Sequence, residues 1–222
     1  MKNIYKIIIT MTMVLPFAAC EDFLEIKPQG QVTQEVFPTT ESDAILATNA
    51  VYTTLRQWHY HSGGFPILDF MSDDAHKGSN PNDQLSTLGP YETFDHTATQ
   101  DGLDRWWSTL YEGIKRTNTV IEKVPQIEMT ASLRDRLVGE AQFVRALLYF
   151  DLVRAWGPVP LVTTNEPPLK LQRTSADSIY QFIVGDLVDA IDVLPLKSEY
   201  NDNNLGRATR GAAQALLAKV YL

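Results

Sequence analysis

Apolar residues that recur every three or four positions dominate this chain, and this periodicity constrains its fold more than any other feature. Five stretches carry it: about Glu41 to Trp58, Asp101 to Val124, Ser132 to Trp156, Ala176 to Leu194, and a fifth that starts near Ala208. Pro125 follows the second stretch and Gly157-Pro158 follows the third, and these residues end helices. The pattern therefore predicts a mostly α-helical protein.

The same periodicity assigns a buried face to each predicted helix. In the third helix this face comprises Leu133, Leu137, Ala141, Val144, Leu148 and Leu152. In the second helix it contains Trp107, so we expect Trp107 in the core. Thr40 and Asp43 predict a capping box at the first helix, and Ser132 with Asp135 predicts a cap at the third. Helices that start roughly 30 to 45 residues apart favour stacked hairpins of the tetratricopeptide type.

The N-terminus has the pattern of an export signal. Lys2 and Lys6 precede an apolar run over residues 7–17, and two alanines stand directly before Cys20. The run is shorter than the roughly 20 apolar residues that a membrane-spanning helix needs. Cys20 is the only cysteine, so it has no partner for an intrachain disulfide. We therefore predict a signal peptide over 1–19, lipid attachment to Cys20 and an extended arm over 20–38, followed by a helical domain over 39–222.

Charge and composition narrow the classes of ligand. Removal of Lys2 and Lys6 from the 19 basic residues leaves 17 against 27 acidic ones, a net charge of −10. Such a surface repels nucleic acid and anionic lipid headgroups, so no nucleic-acid partner is expected. With 44% hydrophobic residues, the chain can bury one sizeable core.

Residues 59–101, the irregular segment, differ from the rest of the chain. The segment contains four glycines, three prolines and all four histidines, without an apolar period. Short helical turns are expected near Ile67–Met71. Long segments without regular structure are uncommon in compact domains and often functional, so this segment is the predicted location of the ligand site.

The residue patterns of the irregular segment give little support for a catalytic or metal-binding site. Asp73-Asp74 resembles a carboxylate pair, but adjacent residues rarely aim both carboxylates at one bond, so a helix cap or a turn is the favoured interpretation. The histidines His59, His61, His76 and His96 lack the spacing of a zinc site, and the chain has no nucleophile elbow, phosphate loop or dinucleotide fingerprint. We therefore predict no catalytic residue, metal ligand or cofactor.

Aromatic residues are the more informative feature of this region. Six rings lie in or beside the irregular segment: Trp58, Tyr60, Phe65, Tyr91, Phe94 and Trp106. Sugars expose an apolar C–H face and a rim of hydroxyls, which aromatic rings and amide or carboxylate groups recognise. The candidate ligand-binding residues are therefore Tyr60, Tyr91 and Trp106, with Asn80, Asn82 and Asp83. In the alternative interpretation, these rings only hold a long loop against the helices.

Several stretches together resemble one known family, the SusD/RagB nutrient-uptake outer-membrane lipoproteins of Bacteroidetes. Residues 15–20, LPFAAC, are similar to a bacterial lipobox, with Phe17 where that motif usually has Leu. The matching stretches that follow are CEDFLEIKP, WWSTLYEGIKRTNTVIEKV, EAQFVRALLYFDLVRAWGPVPLV, SIYQFIVGDLVDAIDVLP and GRATRGAAQALLAKVYL. They cover most of the chain after the signal and stand in the family's order.

The resemblance implies both a fold and a partner. The implied fold is a set of tetratricopeptide-like helical pairs with a more irregular half that holds much of the ligand site. The implied partner is a TonB-dependent transporter of the SusC type, to which the lipoprotein delivers oligosaccharide or peptide at the cell surface. The resemblance also implies a longer protein whose C-terminal half is missing here, in agreement with a fifth helix that stops at Leu222.

Two other functions remain open at this stage. An exported glycan-active enzyme requires two well-placed acids, which this sequence does not show. A helical-repeat scaffold that binds only protein requires no small-molecule site, and the aromatic rings would then serve packing or an interface.

Overall fold

The computed structural model describes residues 37–61, 65–72, 74–78, 80, 82 and 88–222. The predicted signal peptide, Cys20 and nearly all of the predicted arm lie outside these residues. Within them, the helices are α1 (Glu41–Leu55), α2 (Trp58–His61), α3 (Phe65–Phe70), α4 (Gly89–Glu92), α5 (Asp101–Lys123), α6 (Ala131–Trp156), α7 (Ala176–Val193) and α8 (Arg210–Val220). Short 3-10 turns cover Val124–Gln126, Lys197–Glu199 and Asp202–Asn204.

The five long helices confirm the sequence prediction, with bounds that differ by up to three residues. The capping box at α1 is also confirmed, because the Thr40 hydroxyl accepts from the Asp43 N–H at 3.2 Å and the Asp43 carboxylate accepts from the Thr40 N–H at 3.1 Å. The predicted cap at α6 is wrong. That helix begins one residue earlier, after Thr130, whose side chain makes no capping hydrogen bond.

The core lies around α6, which packs against α1, α5 and α7, while α8 packs mainly against α7. Five of the six predicted stripe residues of α6 are fully buried: Leu137, Ala141, Val144, Leu148 and Leu152. Leu133, at the end of the stripe, is half-buried. This arrangement of consecutive packed helices is the predicted mostly helical fold. None of the helices in the described residues is long and apolar enough to cross a membrane.

Because neighbours surround α6 on several sides, it also buries charged side chains. Arg145 donates from Nε and Nη2 to the two carboxylate oxygens of Asp186 on α7, at 2.8 and 2.7 Å. Its Nη1 donates to the Asn118 side-chain oxygen on α5 at 2.8 Å. All three residues are at most 6% exposed. One guanidinium thus joins three helices through bidentate and amide contacts.

The connection between α6 and α7 is held by the same network. Gly157 ends α6 in the left-handed region, at φ +67°, which glycine adopts without strain. The chain then forms a two-stranded antiparallel ribbon of Val159–Pro160 (β1) with Arg173–Thr174 (β2). The Asn118 amide nitrogen donates to the carbonyls of Val162 and Thr164, at 3.1 and 3.3 Å. The extended connection between α6 and α7 is therefore held in place by hydrogen bonds to Asn118 on α5.

Candidate functional site

The irregular segment is more ordered than the sequence predicts. It contains α2, α3 and α4, which contact one another in chain order, and α2 also packs on α5. Only α3 corresponds to the helical turns expected near Ile67–Met71. The remainder of the described segment consists of turns and residues without regular structure, so its described part is a set of short helices of which α2 packs on α5.

Tyr60 attaches this segment to the core through its hydroxyl group. The hydroxyl donates to Asp151 Oδ2 on α6 at 2.9 Å, and Arg154 Nη2 donates to Asp151 Oδ1 at 2.5 Å. Burial raises the pKa of Tyr60 above its usual range, and the neighbouring Asp151 carboxylate raises it further, so the hydroxyl stays protonated and donates. Burial also raises the pKa of Asp151, which the contacts from Tyr60 and Arg154 oppose. The half-buried Tyr60 ring is thus fixed in orientation.

Two of the three candidate rings are core residues, which corrects the expectation that they form a stacking platform. Tyr91 is 0% exposed and its ring lies 5.4 Å from that of His96, centroid to centroid. Trp106 is 1% exposed and its ring lies 4.9 Å from that of Trp156. Neither ring offers a free face to a sugar. Tyr91 instead packs within the irregular segment, and Trp106 packs the start of α5 against the end of α6, which agrees with the alternative interpretation.

The helix phase explains why Trp106 is buried in place of Trp107. Trp106 lies four and eight residues before Leu110 and Ile114, so it continues their buried stripe as well as Trp107 does. Trp156 at the end of α6 packs against both rings and leaves Trp107 half-buried at the edge. The prediction that Trp107 is a core residue is therefore wrong. The buried tryptophan is Trp106, one position earlier in the helix.

Two other rings of the predicted set are exposed. Trp58 at the start of α2 is 68% exposed, and Phe94 after α4 is 64% exposed. Phe94 also has φ of +58°, and it is the one residue other than glycine for which the described residues show positive φ. A bulky residue in the left-handed region is an outlier that costs about 1–2 kcal/mol. The turn thus holds a large apolar ring in solvent at a conformational cost.

The polar candidates have simple local roles in the described residues. Asn80 and Asn82 are exposed, and the Asn80 side-chain oxygen accepts from the Asn82 N–H at 3.0 Å, which closes a short turn. Asp83 lies outside the described residues, as does Asp73. The Asp74 N–H donates to the Ser72 hydroxyl at 3.2 Å, which agrees with a turn at this acid pair. Contact of Asn80, Asn82 and Asp83 with a ligand stays a prediction.

The histidines do not converge. His76 Nδ1 lies 2.5 Å from a carboxylate oxygen of Glu92, and the His76 side chain is 85% exposed. The His61 ring packs edge-on against Trp58 at 6.1 Å. Among the described residues, no group of three or more His, Cys, Asp or Glu side chains is arranged to hold a metal ion.

Comparisons with known proteins place this architecture in a family. Residues 22–222 match the model of the SusD-like family that is described as starch-binding and associating with the outer membrane. A SusD-like protein of Bacteroides ovatus is 33% identical over 228 aligned positions, which cover 98% of this chain and 39% of the relative. The chain therefore spans about two fifths of the length of that relative.

Solved structures agree with this assignment. A laminarin-binding SusD-like protein is 32% identical with a TM-score of 0.71, over 82% of this chain and 40% of that protein. Surface glycan-binding protein A from Bacteroides fluxus is 28% identical with a TM-score of 0.71, over the same shares of the two chains. Because the family model matches nearly the whole chain, the protein belongs to the SusD-like family.

Proposed function

We propose that this protein binds oligosaccharides at the outer membrane, through exposed rings in or beside the irregular segment, without chemical turnover. The observation that carries the proposal is Phe94, an exposed aromatic ring held at positive φ shortly after α4. Strained residues of this kind concentrate at ligand sites, because the surrounding structure must maintain a conformation that the residue alone avoids. Relatives named for laminarin and glycan binding support the same class of ligand.

Trp58 and Phe94 replace Tyr91 and Trp106 as the rings to test. Each can stack on the apolar face of a sugar, which contributes about 0.5–1.5 kcal/mol beyond area burial. We expect Trp58→Ala and Phe94→Ala each to weaken binding by about tenfold or less, and the double variant to remove it. Leu169→Ala is the control, since Leu169 is a fully exposed apolar side chain outside the irregular segment.

Phe94→Gly separates ring loss from loss of fold. Glycine adopts φ of +58° readily, so this variant should keep the turn, with unchanged or slightly higher melting temperature and weaker saccharide binding. Isothermal titration calorimetry against a panel of neutral oligosaccharides that includes laminarin fragments measures the affinity. Unchanged affinity in Phe94→Gly and in the double alanine variant would contradict the site. Chromatography of the same mixtures tests the enzyme alternative, because binding alone leaves the saccharides intact.

We further propose that Cys20 carries the lipid anchor and that the bound saccharide passes to a TonB-dependent transporter of the SusC type. The lone cysteine after two alanines and the family's described association with the outer membrane support the anchor. Cys20→Ser should leave the protein in the soluble fraction or as an unprocessed precursor. If this variant still fractionates with the outer membrane in cells that lack the transporter, lipid attachment at Cys20 is wrong. Co-purification of a transporter barrel with the wild-type protein tests the partner.

A further inference from the structure

A groove with a volume of about 460 Å³ lies outside the irregular segment. The C-terminal half of α1 lines one side, with Asn49, Tyr52, Leu55 and Arg56, and the loop before α8 lines the other, with Asn203, Leu205, Gly206 and Arg207. None of these eight residues is acidic, although the chain carries 27 acidic residues. The groove therefore differs in charge from the protein as a whole.

The loop side of this groove is fixed by a buried ion cluster. Arg207 donates from Nη1 to Glu140 Oε2 at 2.9 Å and from Nη2 to the Asn49 side-chain oxygen at 2.8 Å. The Ala208 N–H donates to the Tyr52 hydroxyl at 2.9 Å. Gly206 has φ of +92°, a conformation that other residues avoid. These contacts hold the loop against α1, so the groove is formed before any ligand arrives.

The same cluster leaves an excess of positive charge. Glu140 is fully buried and faces two guanidinium groups, since Arg136 Nη1 also donates to it at 3.0 Å. One carboxylate is thus shared by Arg136 and Arg207. Arg56 adds a third guanidinium, which is exposed at the end of α1 and makes no hydrogen bond or ion pair with the described residues. Its fork of donors suits the two oxygens of a carboxylate.

Apolar surface accompanies these donors. Leu205 is 57% exposed and Leu55 is half-buried, and both line the groove with the Tyr52 ring. The Arg207 guanidinium lies over that ring, 6.0 Å from its centroid. The amide nitrogen of Asn49 remains oriented as a donor, because its oxygen accepts from Arg207. An apolar patch bordered by amide and guanidinium donors matches a sugar ring that carries a carboxylate.

We propose that this groove is a second saccharide site that selects uronic acids, with Arg56 as the partner of the sugar carboxylate. The proposal rests on the proposed function for the class of ligand, but it uses neither Trp58 nor any ring of the irregular segment. Binding at the two sites is therefore separable. An acidic saccharide engages the groove, whereas neutral saccharides engage Trp58 and Phe94.

The test compares digalacturonate with its methyl ester, which has the same ring geometry without the negative charges. We expect digalacturonate to bind at least tenfold more tightly than the ester, with affinity that falls between 50 and 300 mM salt. NMR titration should shift the side-chain amide signals of Asn49 and Asn203. Arg56→Gln should reduce digalacturonate affinity to the level of the ester and leave neutral laminarin fragments unaffected. Arg134→Gln on α6, a partly exposed arginine outside the groove, should change neither affinity.

Three results would overturn this site. The first is equal binding of digalacturonate and its ester, and the second is unchanged digalacturonate affinity in Arg56→Gln. The third is binding of a short polyglutamate peptide as tightly as digalacturonate, which would indicate an acidic protein partner. The neutral-saccharide measurements on Trp58 and Phe94 variants report separately on the proposed function. If the protein binds neutral saccharides but not digalacturonate, the groove proposal fails. If it binds digalacturonate but not neutral saccharides, the proposed function of Trp58 and Phe94 fails.

Discussion

Gly113 on α5 lies where α1 and α6 both approach this helix closely, and its replacement by alanine tests that packing directly. A methyl group at Gly113 would lie 2.6 Å from Thr54 Cγ2 on α1 and 2.7 Å from Leu148 Cδ1 on α6. Both distances are far below van der Waals contact. Since Leu148 and Thr54 are fully buried, neither side chain can turn into solvent to make room.

The expected change in the free energy of unfolding of Gly113→Ala is the difference between two opposing effects. Glycine to alanine inside a helix contributes about 1 kcal/mol of stability through helix propensity. Insertion of a methyl group into a packed core typically costs about 1–3 kcal/mol. Gly185 on α7 provides the matched control, because a methyl group there would meet no atom within 4 Å. Gly185→Ala should therefore be stabilised by the higher helix propensity of alanine alone. The difference in the free energy of unfolding between the two variants then gives the cost of crowding at Gly113.

Thermal and urea unfolding of the two variants and the wild type measure these effects. For a folded chain of 150–250 residues, 1 kcal/mol corresponds to about 2–4 °C in melting temperature. We expect Gly185→Ala to melt above the wild type by about that amount and Gly113→Ala to melt at or below it. Equal stabilisation by both substitutions would refute the described approach of α1 and α6 to α5.

Two further predictions concern the core around α6. Leu148→Ala should destabilise the protein by about 2–5 kcal/mol in urea unfolding, because the Leu148 side chain is fully buried. Leu169→Ala, at a fully exposed leucine, should have almost no effect in the same assay. Arg145→Met should cost about 3–5 kcal/mol, because it leaves the buried Asp186 carboxylate without its two donors, and adding Asp186→Leu should restore part of that stability. If the double variant is less stable than Arg145→Met alone, the two groups do not act as a pair.

The sequence determines the long helices well because their signals are local. Apolar spacing, the Thr40 capping box and the glycine and proline stops act within a few residues of each other, so they can be recognised without knowledge of the fold. The same signals are weak in the irregular segment. There, α2 and α4 are four residues long and have no apolar period, so contacts with neighbouring elements determine them.

Buried charges on α6 could not be predicted from the same pattern. Glu140, Arg145 and Asp151 occupy positions that a binary pattern of apolar and polar residues assigns to solvent. Each is buried because α6 has neighbours on several sides, and each finds its partners on another element or one turn away on α6. Only the tertiary arrangement brings Asp186, Arg207 and Tyr60 to them. Long-range partners of this kind leave no spacing in the sequence that would identify them.

The aromatic residues show where sequence reasoning about the site reaches its limit. Composition places six rings in or beside the irregular segment, but it does not distinguish rings that support the segment from rings that face solvent. The fold makes that distinction: Tyr91 and Trp106 are buried, whereas Trp58 and Phe94 are exposed. A ring that packs in the core gains hydrophobic stability from burial, and a ring that is 64% exposed, such as Phe94, gains much less. The burial of Phe94 therefore offsets its strained φ less than core packing would, and this contrast is why Phe94 is the ring to test for ligand contact.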